Sequence, residues 1–136
     1  MKHVFIDTSA LIALKDSSDV RHDEALRYFE SALSGPSMKF VLTNYLLCEV
    51  HAYFCRAPSV ALKYVEHLLD NPHFQIARAE ERDESRALAL LRSSRDKTYS
   101  FADAVSFAVM ERLDLDSAFT FDRHFKQHGR CRVLPD

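Results

Sequence analysis

Glycine is scarce in this 136-residue chain, with two in all, and proline occurs four times. That excludes fibrous and low-complexity architectures and points to a compact, helix-rich fold. No run of about 18 apolar residues exists, so no membrane-spanning helix is expected. The apolar start, MKHVFIDTSALIAL, is broken by Asp7, unlike a secretory leader, and a cytoplasmic location is expected. Three cysteines, an odd number without a CxxC pair, argue against a disulfide framework. Cys48, His51 and Cys55 fall on one side of a predicted helix. Structural zinc wants four ligands, usually from more than one element, so buried thiols are the preferred reading there.

An excess of positive charge is also missing. The 18 basic and 20 acidic residues leave a net charge of −2, which taken whole argues against a nucleic-acid partner. The balance reverses if four carboxylates are committed to a cation, because 18 basic residues then face 16 acidic ones. Basic groups also gather late in the chain, at Arg123, Lys126, Arg130 and Arg132. A solvated tail explains them equally well.

What is present is an alternation of short apolar strands and amphipathic helices. Strands are predicted at 3–6, 39–42, 73–77, 117–121 and 131–134. Helices are predicted at 8–14, from about 20 to 33, 43–54, 58–69, about 80–95 and 100–113, with a short one around His124. The inward stripes are expected to be Leu46, Leu47, Val50 and Phe54 in the third helix; Leu62, Val65, Leu68 and Leu69 in the fourth; Ala87, Leu88 and Leu91 in the fifth; and Phe101, Ala104, Val105, Ala108 and Val109 in the sixth. Such alternation predicts an α/β fold with a parallel sheet of four to five strands, covered by helices on both faces. Ligands of such sheets bind beyond the carboxyl ends of the strands, where Asp7 and Asp122 fall.

Each acid has an ordinary explanation. Asp7 and Asp122 can cap the helices that follow them, and Ser100 with Asp103 in SFAD has the form of a capping box. Glu49 lies mid-helix, where no cap accounts for it. The joint pattern is more telling: four acids from four segments, converging on one cleft, would repel unless a cation held them. Oxygen ligands without a paired His or Cys set favour Mg²⁺ or Mn²⁺ over zinc.

The ordered segments FIDTSALIAL, TNYLLCEV, DKTYSFADAVSFAVM and AFTFDRHF resemble the motifs of PIN-domain ribonucleases, specifically the VapC-type toxins of toxin–antitoxin pairs. The resemblance runs from residue 2 to about residue 133 and implies one PIN domain over 1–136, a three-layer α/β/α sandwich. It implies an acidic metal-binding and catalytic set of Asp7, Glu49, Asp103 and Asp122. Thr8 or Ser9 would support the first acid; Asn44, Asp96, Ser100, Thr120 and Arg123 would support the set or orient substrate. Some members of the family carry a further acid where this chain has His124.

The activity so implied is Mg²⁺- or Mn²⁺-dependent endoribonuclease cleavage of an RNA substrate. Expected partners are a cognate antitoxin and a second copy of the chain as a homodimer. Arg123, Lys126 and Arg130 are candidates for holding the RNA backbone, and Tyr45, Tyr99 or Phe101 for stacking on a base. Three alternatives remain open at this point. One is metal-free cleavage by histidine; another is a DNA-acting relative of the fold; the third is a non-catalytic module whose acidic groove docks a basic peptide.

Overall fold

The computed structural model describes residues 1–136. Five strands, β1 (Lys2–Ile6), β2 (Met38–Thr43), β3 (Phe74–Ala77), β4 (Ser117–Phe119) and β5 (Arg132–Leu134), form one sheet in the order β3-β2-β1-β4-β5. Every neighbouring pair is parallel, as strands joined through helices must be. The helices are α1 (Thr8–Lys15), α2 (His22–Ser34), α3 (Asn44–Phe54), α4 (Pro58–Asp70), α5 (Glu81–Ser93), α6 (Phe101–Arg112) and α7 (Arg123–His128). With helices on both faces of the sheet, the result is the three-layer sandwich expected from the alternation.

The faces differ in packing. Along β2, Phe40 and Leu42 join the larger apolar cluster, where Phe29 stacks on Phe40 and Phe74 at centroid distances of 5.3 and 5.9 Å. Val41, on the opposite face, joins a smaller cluster with Ala87, Ala104, Val105 and Val109. Alanines on α5 and α6 let that layer lie close to the sheet.

Several expectations from periodicity are corrected. Val20 is exposed, and α2 begins at His22 after a turn held by Asp16 and Asp19. In α4 the buried side is Ala61, Tyr64 and Leu68 with Val65 beside it, while Leu62 and Leu69 are exposed. Small Ala61 and long Tyr64, whose hydroxyl reaches the Leu11 carbonyl, set the helix rotation instead. In α5, Leu90 is buried and Leu88 exposed. Phe101 lies exposed at the first turn of α6, because that helix enters the core only from Asp103 onward. Cys48 and Cys55 are exposed free thiols, since the buried face of α3 is Leu46, Leu47 and Val50. No ligand cluster forms around them.

The strand order places the site. From β1 the sheet grows one way through β2 and β3, and the other way through β4 and β5. Loops leaving β1 and β4 therefore part in opposite directions, opening a crevice at their carboxyl ends. Asp7 follows β1 directly, and Asp122 lies three residues beyond β4. A backbone bond from Asp7 N–H to the Phe119 carbonyl, 3.1 Å, closes the sheet beneath that crevice.

Candidate functional site

The crevice is an open cleft of about 680 Å³, lined by Asp7, Glu49, Asp103 and Asp122 together with hydroxyl side chains and His124. Four segments deliver the acids, each by a local device. Asp7 is the N-cap of α1 and Asp122 the N-cap of α7. Asp103 is the third residue of α6 and completes a capping box with Ser100, the two bonds each 3.0 Å. Glu49 projects from the middle of α3, where the Thr8 hydroxyl donates to it at 2.8 Å.

One oxygen of each acid is thereby tied to the protein. Asp7 Oδ2 accepts from Ser9 N–H, Ser9 Oγ and Thr120 Oγ1, at 3.3, 2.9 and 3.0 Å. Asp103 Oδ2 accepts from Ser100 N–H and faces His124 Nδ1 at 3.0 Å. Asp122 Oδ1 accepts from His124 N–H at 2.9 Å, and Glu49 Oε1 accepts from Thr8. The second oxygen of every one of these carboxylates receives no hydrogen bond from the chain. In Asp7, Asp103 and Asp122 one oxygen thus serves a helix cap and the other has no donor from the chain.

The electrostatics are those of a site short of positive charge. Burial, with Asp122 and Asp103 nearby, pushes the Asp7 carboxyl up to about 6 against the help of its Ser9 and Thr120 bonds. Glu49, at the exposed rim, is also raised, by partial desolvation first and then by Asp103 and Asp122, with the Thr8 bond opposing. No lysine or arginine forms an ion pair with any of the four acids; only His124 reaches Asp103 and Asp122, at 3.0 and 3.3 Å.

The tightest set able to hold a cation is Asp103, Asp122 and His124, whose ligand atoms lie within 4.8 Å of one another. Sequence reasoning named His124 as a departure from a pattern and missed its place here. Both its nitrogens are engaged, Nδ1 with Asp103 and Nε2 with Thr98 Oγ1 at 3.1 Å. Ionised carboxylates only accept, so Nδ1 carries the proton and Nε2 takes the Thr98 hydroxyl. The imidazole thus braces the carboxylates rather than offering a free lone pair.

Other sequence candidates separate by position. Thr8, Ser9 and Ser100 line the cleft, and Thr120 lies beneath it, donating to Asp7 and accepting from Asp122 N–H at 3.0 Å. Asn44 lies outside the lining and accepts from Ala79 N–H at 2.8 Å, fastening the start of α3 to the connection after β3. Asp96 is exposed and paired with Lys97 at 3.3 Å. Arg123 and Lys126 border a neighbouring pocket that shares Asp122, together with Arg21, whereas Arg130 lines a separate one with His128 and Asp116. Tyr99 packs edge-on against Phe107 and His124, and the Tyr45 hydroxyl is held by Glu84.

The sequence profile of the PIN domain matches residues 4–130, nearly the whole chain. The chain belongs to the PIN domain family. Among characterised PIN relatives it is 29% identical, over 98% of its own length and 99% of the other's, to the 23S rRNA-specific endonuclease VapC20 of Mycobacterium tuberculosis. The crystal structure of that protein, described as a Sarcin-Ricin loop cleaving toxin, superposes with a TM-score of 0.86 at 28% identity. The match covers 97% of this chain and 99% of VapC20. VapBC2 from Rickettsia felis, bound to a promoter DNA fragment, gives a TM-score of 0.71 at 9% identity, with 96% of each chain covered. A toxin–antitoxin complex from Klebsiella pneumoniae gives 0.69 at 18% identity, covering 96% of this chain and 95% of that one. These last two bear on the PIN fold alone.

Proposed function

We propose that this PIN domain is a divalent-metal-dependent endoribonuclease, the toxin of a toxin–antitoxin pair, with residues 1–136 acting as one unit. The observation that carries the proposal is the cleft in which each of four carboxylates keeps one oxygen free of protein donors. The donor set fits Mg²⁺ or Mn²⁺, being oxygen-rich with an imidazole already bonded elsewhere. Asp7, Asp103 and Asp122 would hold the ion, with Glu49 at the rim. When bound, such a cation supplies acidity to a water and neutralises charge at a phosphoryl oxygen.

The chain's own residues then have distinct tasks. Ser9 and Thr120 hold Asp7 in one rotamer, so its free oxygen needs no reorganisation. Ser100 fixes Asp103 from the backbone, and His124 braces it against Asp122. Thr8 aims Glu49 back across the cleft mouth. Arg123 and Lys126, which have no carboxylate partner, together with Arg21, can take phosphates beside Asp122. A histidine acid–base pair is not supported, because His124 is the single histidine lining the cleft.

The relative's specificity makes 23S rRNA the first substrate to try, and a basic antitoxin segment would find in the acid cleft the counter-charge it needs. A homodimer and a cytoplasmic location belong to the same reading; no helix is long and apolar enough to cross a membrane. The test is incubation of the purified protein with ribosomal RNA, with Mn²⁺ or with EDTA, followed by mapping of the new ends. Cleavage that EDTA stops and Mn²⁺ restores, leaving 5′-phosphate ends, is expected. Cyclic phosphate products that persist in EDTA would overturn the metal mechanism.

A further inference from the structure

The acid cleft has one apolar wall. Of its lining residues only Ile12, Ala52 and Tyr53 are hydrophobic, and they sit together where α1 faces α3. Tyr53 is 52% exposed, a large ring left to solvent on a surface otherwise made of carboxylates and hydroxyls. Four residues before it on α3 is Glu49, so the ring and that carboxylate share a helix face.

The ring is also held still. Its hydroxyl donates to Asp16 Oδ2 at 2.9 Å, across from the end of α1. That bond, ahead of the Asp16 charge, raises the hydroxyl's pKa, so it remains a donor. Asp16 is itself fixed by the Ser18 hydroxyl and N–H, at 2.6 and 2.9 Å. The ring packs edge-to-face on Phe54, with centroids 4.8 Å apart and planes at 77°. Phe54 in turn packs on Tyr64 of the core at 5.7 Å. A side chain anchored at its tip and its edge, and still half exposed, is pre-organised to receive a planar partner.

We infer that Tyr53 is the platform on which an unpaired base of the RNA substrate stacks, positioning the adjoining phosphodiester over the free carboxylate oxygens. Single-stranded RNA is recognised chiefly through bases splayed onto aromatic rings, a contact every base can make. The other aromatic candidates are less suited: Tyr99 is packed against Phe107 and His124, while Tyr45 and Phe101 pair with each other outside the cleft lining. The inference rests on the ribonuclease reading above.

The experiment uses the full chain and a short single-stranded oligoribonucleotide carrying 2-aminopurine, whose fluorescence is quenched by stacking. Binding is measured in EDTA, and cleavage is then followed in Mn²⁺. Quenching is expected with the wild-type protein, Tyr53→Phe and Tyr53→Trp, and is lost with Tyr53→Ala. Tyr53→Ala raises KM about ten-fold or more and lowers kcat less, while the melting temperature falls by only about 2–6 °C, from loss of the Phe54 and Asp16 contacts. Tyr53→Phe, lacking the bond to Asp16 but keeping the ring, stays within about three-fold of wild type. A Tyr53→Ala protein with wild-type quenching and KM, or a Tyr53→Phe protein as impaired as the alanine variant, would overturn the stacking role alone. Wild-type protein that neither binds nor cleaves RNA would overturn the ribonuclease reading as well.

Discussion

Helices α5 and α6 begin with the same device and use it to opposite ends. Each opens on a capping box, Glu80 with Asp83 in one and Ser100 with Asp103 in the other, and each buries its aspartate, to 2% and 9% exposure. At α5 the cationic partner is Arg112, whose guanidinium grips both Asp83 oxygens at 2.9–3.1 Å. Burial raises the Asp83 pKa, but Arg112 and the Glu80 N–H more than offset it, and the carboxyl ends below its ordinary value. At α6 the neighbours are Asp122 and the His124 imidazole, no arginine or lysine forms an ion pair with Asp103, and one Asp103 oxygen receives no hydrogen bond. A capping box of the same form is thus a closed structural joint in one helix and leaves a carboxylate oxygen without a donor in the next. Tertiary partners alone make the difference.

The largest expected effect separates the two. Asp103→Asn takes RNA cleavage below detection while the melting temperature moves by no more than about 2 °C, because the amide keeps the cap and relieves like-charge crowding. Asp83→Asn behaves in reverse: it weakens the grip of Arg112, which keeps only Glu80 as a charged partner at 3.6 Å, and costs roughly 1–3 kcal/mol of stability. Its cleavage rate at a temperature where it stays folded is unchanged. Urea denaturation beside an RNA cleavage assay reads both, and an inactive but stable Asp83→Asn would erase the contrast.

The pH dependence of stability sharpens the comparison next. Asp7 has a folded pKa of about 6 against 3.8 for the free group, so the folded state holds its proton more tightly. In chelator-treated protein its contribution is therefore greatest below about pH 4 and is lost by about pH 6, a fall of up to about 3 kcal/mol. Asp83, depressed in the folded state, contributes stability above its unfolded pKa that is lost as pH falls. Denaturation midpoints between about pH 2 and 7 check the signs: Asp7→Asn flattens the decline above about pH 4, and Asp83→Asn removes part of the opposing rise below it. The smallest effect falls on the brace. His124→Gln lowers Mn²⁺ affinity, measured by calorimetry, by about 10- to 100-fold without unfolding the protein. A variant with wild-type affinity would mean that Asp103 and Asp122 need no brace.

How much of this was legible differs from residue to residue. SFAD was readable because serine is a strong N-cap and an acid three residues later completes the box. The equivalent EERD at residues 80–83 passed unread, since a Glu cap among several acids looks like an ordinary solvated helix start. Asp7 and Asp122 were visible as acids directly after apolar runs. His124 was visible only as a departure, because its value depends on Thr98, Asp103 and Asp122, residues brought to it by folding. The stripe in α4 was misread because period 3.6 tolerates a shift of one position, and Tyr64 buries better there than Leu62. Nothing in its local sequence distinguishes Tyr53, one aromatic among five tyrosines and ten phenylalanines.

By itself the sequence determined the order of strands and helices, and the caps that stop and start them, because those depend on neighbours a few residues apart. It also set four acids at the ends or edges of apolar segments. Only the tertiary structure decided which of the buried aspartates meets an arginine and which meets other carboxylates. That choice arises from packing: α6 lying against α5 brings Arg112 to Asp83 from 29 residues along the chain, and the turn after β4 brings His124 to Asp103 from 21. Local sequence cannot encode a charge's partner when the partner arrives from so far away.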